Sequence, residues 1–128
     1  MTSKTSRIIG WILTGLVGLF MIGASGIPKF IDWPGKAEMM DHLGISLALL
    51  PTLGVLEIAV TVLYLIPRTS FLGAILLTGY LGGAIATHVR IGDPFIGPII
   101  LGVMIWLGLY LRDARLRALI PWKSGSKM

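Results

Sequence analysis

Cysteine is absent from the sequence, and charge is scarce. Without a thiol the chain has no disulfide, no thiolate nucleophile and no sulfur ligand for zinc or an iron–sulfur cluster. Charged residues make up 13% of the chain, where a soluble domain carries about 25%. Apolar residues reach 55% and mean hydropathy is +0.86. So little polar surface could not cover a water-facing domain, whereas a bilayer is itself an apolar solvent. There is no phosphate-binding glycine loop, nucleophile elbow or nucleotide motif. The two histidines, His42 and His88, do not share a helix face, so no metal or haem site is expected. With no nucleophile–base pair and no cofactor motif, a free-standing enzyme is not expected either.

What is present is long apolar runs. Crossing about 30 Å of hydrocarbon takes about 20 apolar residues as a helix. Residues 8–27, 47–66, 71–88 and 95–111 meet or approach that length, and the second is interrupted only by Glu57. The expectation is an all-α fold: one domain over residues 1–128, an integral membrane bundle of four spans. Pro67-Arg68-Thr69-Ser70 and Val89 to Pro94 are short turns that make successive spans antiparallel. Residues 28–46 are longer and mixed in polarity, read either as a short amphipathic helix on the outer surface or as a solvated loop. The first apolar run exceeds a usual signal-peptide core, so it is expected to stay in place.

Lys and Arg are unevenly shared between the two sides. Lys4, Arg7, Arg68, Arg112, Arg115, Arg117, Lys123 and Lys127 fall on one side, and Lys29, Lys36 and Arg90 on the other. Basic residues mark the cytoplasmic side, so both termini are expected there, in a bacterial inner membrane. The stretch from Arg112 to Trp122 is expected to rest on anionic headgroups. The net charge of +5 thereby reads as an orientation signal and not as a nucleic-acid footprint. Trp11, Tyr64, Trp106 and Tyr110 fall toward the same span ends and read as an aromatic belt. Gly79 and Gly83 on span three, and Gly10, Thr14 and Gly18 on span one, are spaced for close helix contact, within the chain or between protomers.

Glu57 is the most informative residue, lying about 13 Å into the membrane at 1.5 Å per residue. A carboxyl facing lipid there is costly, so it should face the bundle interior, for proton handling, ligand binding or an interhelical packing bond. Folding about Arg68 sets it level with Gly79, which leaves it room, and Tyr80, whose hydroxyl could meet it. His88 sits near the outer boundary, where His42, Asp41, Arg90, Asp93 and Lys29 would join it in a polar cap, or it could simply bond a turn carbonyl. Asp93 before Pro94 also suits a turn or helix cap, and Lys29 a snorkelling span end.

Ser25-Gly26-Ile27-Pro28-Lys29-Phe30, Leu53-Gly54-Val55-Leu56-Glu57-Ile58 and His88-Val89-Arg90-Ile91-Gly92-Asp93-Pro94 occur in that order. On these motifs the chain resembles the DoxX-like family of small four-span membrane proteins, from Ser25 onward. The resemblance implies a four-helix bundle and marks Lys29, Glu57, His88 and Asp93 as kept positions. The residues and the resemblance together leave three candidate roles. The chain could be an accessory subunit binding a lipophilic ligand such as a quinone beside a redox partner. It could be a structural or chaperone-like protein contacting another membrane protein through its glycine faces. Or it could be a small proton-coupled transporter, as a homo-oligomer.

Overall fold

The computed structural model describes residues 3–120, and among these every regular element is helical. In chain order they are α1 (Lys4–Lys29), α2 (Lys36–Leu43), α3 (Leu47–Leu65), α4 (Pro67–Arg90), α5 (Ile96–Arg112) and α6 (Ala114–Leu119). Three of them, α1, α3 and α4, are long and apolar enough to cross a membrane, and α5 is a shorter apolar helix. Trp122, Lys123 and Lys127 lie outside the described residues.

Each long helix packs on two others. α1 lies along α5, α3 along α4, α4 along α5, and the second half of α1 leans on α3, which closes a four-helix ring. Val17, Met21, Val60, Tyr64, Ala74, Leu77, Leu81, Ile105 and Leu109 fill its centre. The outside is apolar as well: Leu19, Val55, Leu72, Ile100 and Val103 are all exposed. In water such a surface is costly at about 25 cal/mol per Å². Against acyl chains it costs little, as the composition anticipates.

Because lipid gives helices no hydrophobic reason to associate, contact depends on close backbone approach at small residues. Gly10 is one such point, since a Cβ there would lie 2.7 Å from the Gly108 carbonyl oxygen and 2.8 Å from Arg112. Gly18 meets Leu65, Gly26 meets Ile58, Gly54 meets the ring of Phe30, and Gly73 meets the backbone of Tyr64. The Gly10–Thr14–Gly18 stripe is therefore used, against α5 and α3. The Gly79–Gly83 stripe is not used within the chain: a Cβ at either position has nothing within 4 Å. The inward face of α4 is set by Gly73, Ala74, Leu77 and Leu81, which leaves Gly79 and Gly83 turned outward.

Arg112 ties the terminal end of the ring together. It is 9% exposed. Its Nε donates to Thr14 Oγ1 at 2.9 Å, and Nη2 donates to the Tyr64 carbonyl and to Ser70 Oγ, each at 3.2 Å. The guanidinium carbon lies 4.2 Å over the Trp11 ring and 5.3 Å from that of Tyr64. One side chain from α5 thus touches α1, α3 and α4. No carboxylate pairs with it among the described residues. Instead it sits where α3 and α5 both end, and the carbonyl-rich C-termini of two helices supply partial negative charge. Arg112 is accordingly a buried staple and not a headgroup-facing cation. Tyr64 is likewise no belt residue: it is fully buried and donates to the Ile105 carbonyl at 2.7 Å. Just beyond, Asp113 accepts from the Arg115 backbone N–H to start α6. The Arg115 guanidinium on the same carboxyl holds it below the usual carboxylate range.

At the opposite end the long connection contains a helix, α2, bounded by Gly35 and Gly44 at φ +84° and +76°. Gly44 N–H donates to the Asp41 carbonyl and Ile45 N–H to that of Met40, the paired closing bonds that a left-handed glycine permits. Met40 turns inward and is buried. Gly10→Leu is expected to destabilise the protein by about 3 kcal/mol, as overpacking at a backbone contact does, while Gly79→Leu leaves it unchanged. Thermal unfolding in mild detergent measures both; a loss for Gly79→Leu would reveal a contact made with another chain.

Candidate functional site

The second half of α1 departs from regular α geometry, and the site begins there. Leu19 to Gly26 follow wider π-helical turns, and Ile27 to Lys29 then tighten into a 3₁₀ turn that admits Pro28. Such wide turns change the direction side chains take and recur at functional positions. Here Ser25 and Lys29 come to lie against α3, with Gly26 pressed on Ile58.

Lys29 makes three bonds with its ammonium. Nζ donates to Glu57 Oε1 at 2.7 Å, to the Ser25 carbonyl at 3.0 Å and to Ser25 Oγ at 3.1 Å. An ammonium has three protons, so its donors are all used. From the other side, the Tyr80 hydroxyl donates to the same Glu57 Oε1 at 2.8 Å. Both bonds are donated to the carboxyl oxygen, the pattern of a carboxylate that accepts. Glu57 itself is 0% exposed. The cluster therefore joins α1, α3 and α4 through one oxygen atom.

The second carboxyl oxygen has no partner. Glu57 Oε2 is the one buried side-chain polar atom without a hydrogen bond among the described residues. A buried acceptor left empty costs about 1–3 kcal/mol, more when charged. The site thus has a charge compensated on one side and a free acceptor on the other.

The remaining candidates separate into two groups. At the α2 end, His42 Nε2 lies 3.0 Å from both oxygens of Asp93, and Arg90 Nη2 donates to the Leu43 carbonyl at 2.6 Å. These two contacts fasten α2 to the end of α4 and to the loop that follows it. His88 does not join them: its Nδ1 donates to the Ala84 carbonyl, one turn back on its own helix, at 2.7 Å. Lys29 also leaves the expected polar cap, since its side chain runs down the last turn of α1 to Glu57. Gly79, expected beside the carboxyl, faces outward, and the space is filled by Tyr80. No group of three or more metal-ligating side chains occurs among the described residues.

Reasoning from sequence missed the Lys29–Glu57 pair and the Arg112 staple. The signal for the first was Ser25 and Lys29 four residues apart, on the last turns before a span end. For the second it was a lone arginine at the end of an apolar helix with Thr14 and Ser70 at a similar height.

If Glu57 and Lys29 compensate each other, single and double replacements will differ. Breaking one partner of a buried pair costs about 3–5 kcal/mol, whereas replacing both by apolar residues can be nearly neutral. Lys29→Met and Glu57→Leu are each expected to lower thermal stability strongly, and the double variant to recover most of it. Losses that simply add would show that the two groups are independent.

No curated protein and no solved structure matches the chain. A sequence model described as the DoxX-like family matches residues 12–109, a stretch that contains Lys29, Glu57, Tyr80, His88 and Asp93. The chain is an integral membrane protein of the DoxX-like family.

Proposed function

We propose that this protein holds a lipophilic ligand by its polar head at Glu57, as an accessory subunit beside a redox partner in the membrane. The observation that carries this reading is the partnerless Oε2 atom of a fully buried carboxyl group. Intramembrane ionisable groups are costly and are functional sites by default. An acceptor oxygen calls for a ligand that donates, a hydroxyl or an amine. Among quinones that favours the reduced, hydroxyl-bearing form, for which Glu57 is the acceptor, Tyr80 borders the head and Lys29 holds the carboxyl in place. Such a group, when bound, supplies two-electron redox chemistry that the side chains themselves lack. The redox partner would take or give the electrons, as no other carrier motif is present in the sequence.

The uneven distribution of Lys and Arg supports both termini on the cytoplasmic side, in a bacterial inner membrane. His42–Asp93 and Arg90–Leu43 would then fasten the connection on the outer side. The open glycine face of α4 at Gly79 and Gly83 would suit the partner, or a second copy of the chain.

A second reading has an observation of its own. Glu57 is sealed from water and joins three helices, which suits a packing element in a structural or chaperone-like membrane protein. Mass spectrometry of protein purified in mild detergent separates the two. Ligand binding predicts a hydrophobic molecule that co-purifies with the natural protein and is lost on Glu57→Ala. A well-folded Glu57→Ala protein that keeps the molecule rejects the site, and natural protein that brings down no hydrophobic molecule favours the structural reading.

A further inference from the structure

α1 and α5 touch closely only near the chain termini, where Gly10 meets Gly108 and Thr14 packs beside it. Beyond Gly18 the π-helical half of α1 leans toward α3 and away from α5. An apolar groove of about 640 Å³ opens between them, lined by Leu16, Leu19, Phe20, Gly23, Leu101 and Met104, with Ala24 at its far end. Its length along α1, from Leu16 to Ala24, is about 12 Å at 1.5 Å per residue. Gly23 is bare: a Cβ there meets only a Leu19 methyl at 3.9 Å.

The groove ends just short of the level of Glu57. Gly18 meets Leu65, Gly26 meets Ile58 and Gly54 meets Phe30 along antiparallel helices, which sets Glu57 level with Gly26 and Ile27, two to three residues past Ala24. Leu101 and Met104 form the α5 wall, and both also pack on the buried core, as Tyr80 does. From the α2 end the carboxyl is shut off by Lys29, whose three donors are occupied, and by Phe30 wedged on Gly54. On the side between α1 and α5 the lining side chains are apolar, and none of them bonds the carboxyl. Met104 is unbranched and partly exposed, a side chain that can shift without disturbing the backbone.

We infer that the groove between α1 and α5 seats the tail of a single-chain amphiphile whose hydrogen-bond-donating head reaches Glu57, so that the ligand enters sideways from the bilayer. This rests on the ligand reading of Glu57 given above and adds its path and chemical class. A head that donates complements Oε2; a single flexible chain of about 12 Å matches the groove along α1. A two-chain phospholipid is a poor match for a single apolar channel at whose end Lys29, the nearest cation among the described residues, is fully engaged.

The test uses the intact protein in mild detergent and two probes. Methylhydroquinone carries the head alone, and its binding is followed by equilibrium dialysis. Decylhydroquinone with a diazirine near the end of its chain is photolysed, and its adducts are mapped by mass spectrometry. A decane diazirine without a head reports ordinary lipid contact. The expected result has three parts. The head probe binds the natural protein and not Glu57→Gln. The tailed probe labels α1 residues 16–24 and α5 residues 101–104, and that labelling is lost in Glu57→Gln. Gly23→Leu, which fills open space without touching the fold, weakens the tailed probe about tenfold and leaves the head probe unchanged. Head binding that depends on Glu57, with tail adducts elsewhere, overturns the groove and leaves the site standing. Groove labelling that is equal in Glu57→Gln, or equal for the headless probe, means the groove holds ordinary lipid and overturns the inference. Groove adducts replaced by crosslinks between two copies of the chain would make the face a homo-oligomer contact and also overturn it. Failure of the head probe to depend on Glu57 removes the site reading itself.

Discussion

A carboxylate in a low-dielectric interior must be met by donors or by a counter-charge, and this bundle is arranged around that demand. Glu57 sits in the middle of α3, away from either helix end, so no helix dipole compensates it. The compensation comes from Lys29, at the end of α1, reaching to the carboxyl at 2.7 Å, and from the Tyr80 hydroxyl of α4 at 2.8 Å. Three helices are thereby pinned at one height. The departure of α1 from regular geometry between Leu19 and Gly26 belongs to the same arrangement, since Ser25 and Lys29 must both face α3. Bending α1 toward α3 opens its contact with α5. Ion pair and groove are two consequences of one change in helix path.

Much of this was legible in the sequence because depth in a membrane is a nearly linear function of residue number. Counting from the turn at Arg68 put Glu57 and Tyr80 at one level, and the structure has them in contact. Counting fails where a long side chain travels along the helix axis. Lys29 was placed with the outer polar cap by its Cα position, yet its ammonium lies a turn lower. It fails again for rotation about the axis: Gly79 neighbours Tyr80 in sequence and level, but one faces lipid and the other the carboxyl. The glycine stripe of α1 faces inward because its partners, Gly108 and Leu65, are themselves shaped to receive it. Spacing alone holds no such information about partners.

Charge counting misplaced Arg112 for a related reason. A cation at the end of an apolar helix serves equally well facing headgroups or turned under the bundle, and the sequence tally is the same in both cases. What decides is the presence of acceptors: Thr14, the Tyr64 carbonyl and Ser70 converge on one point, and two aromatic faces cover the rest. The α2 segment shows the reverse case. Its apolar residues were visible, but only Gly35 and Gly44 in left-handed conformation, with Met40 turned inward, make it a helix folded onto the bundle.

The two buried charges differ in how completely they are satisfied, and that difference separates structure from function. Arg112 has neutral acceptors, helix C-termini and ring faces; none of its side-chain nitrogens is left both buried and unbonded. Through Nε and Nη2 the group holds four helices together, and no buried nitrogen on it is left to be satisfied by a ligand. Glu57 is engaged on one oxygen only. Packing alone would be served equally well by a carboxyl with both oxygens bonded, or by an apolar residue and no lysine. A chain that keeps an ion pair in lipid and leaves half of its carboxylate unbonded carries a standing cost. A donor arriving at Oε2 removes that cost, which makes this atom the place where binding energy can be gained.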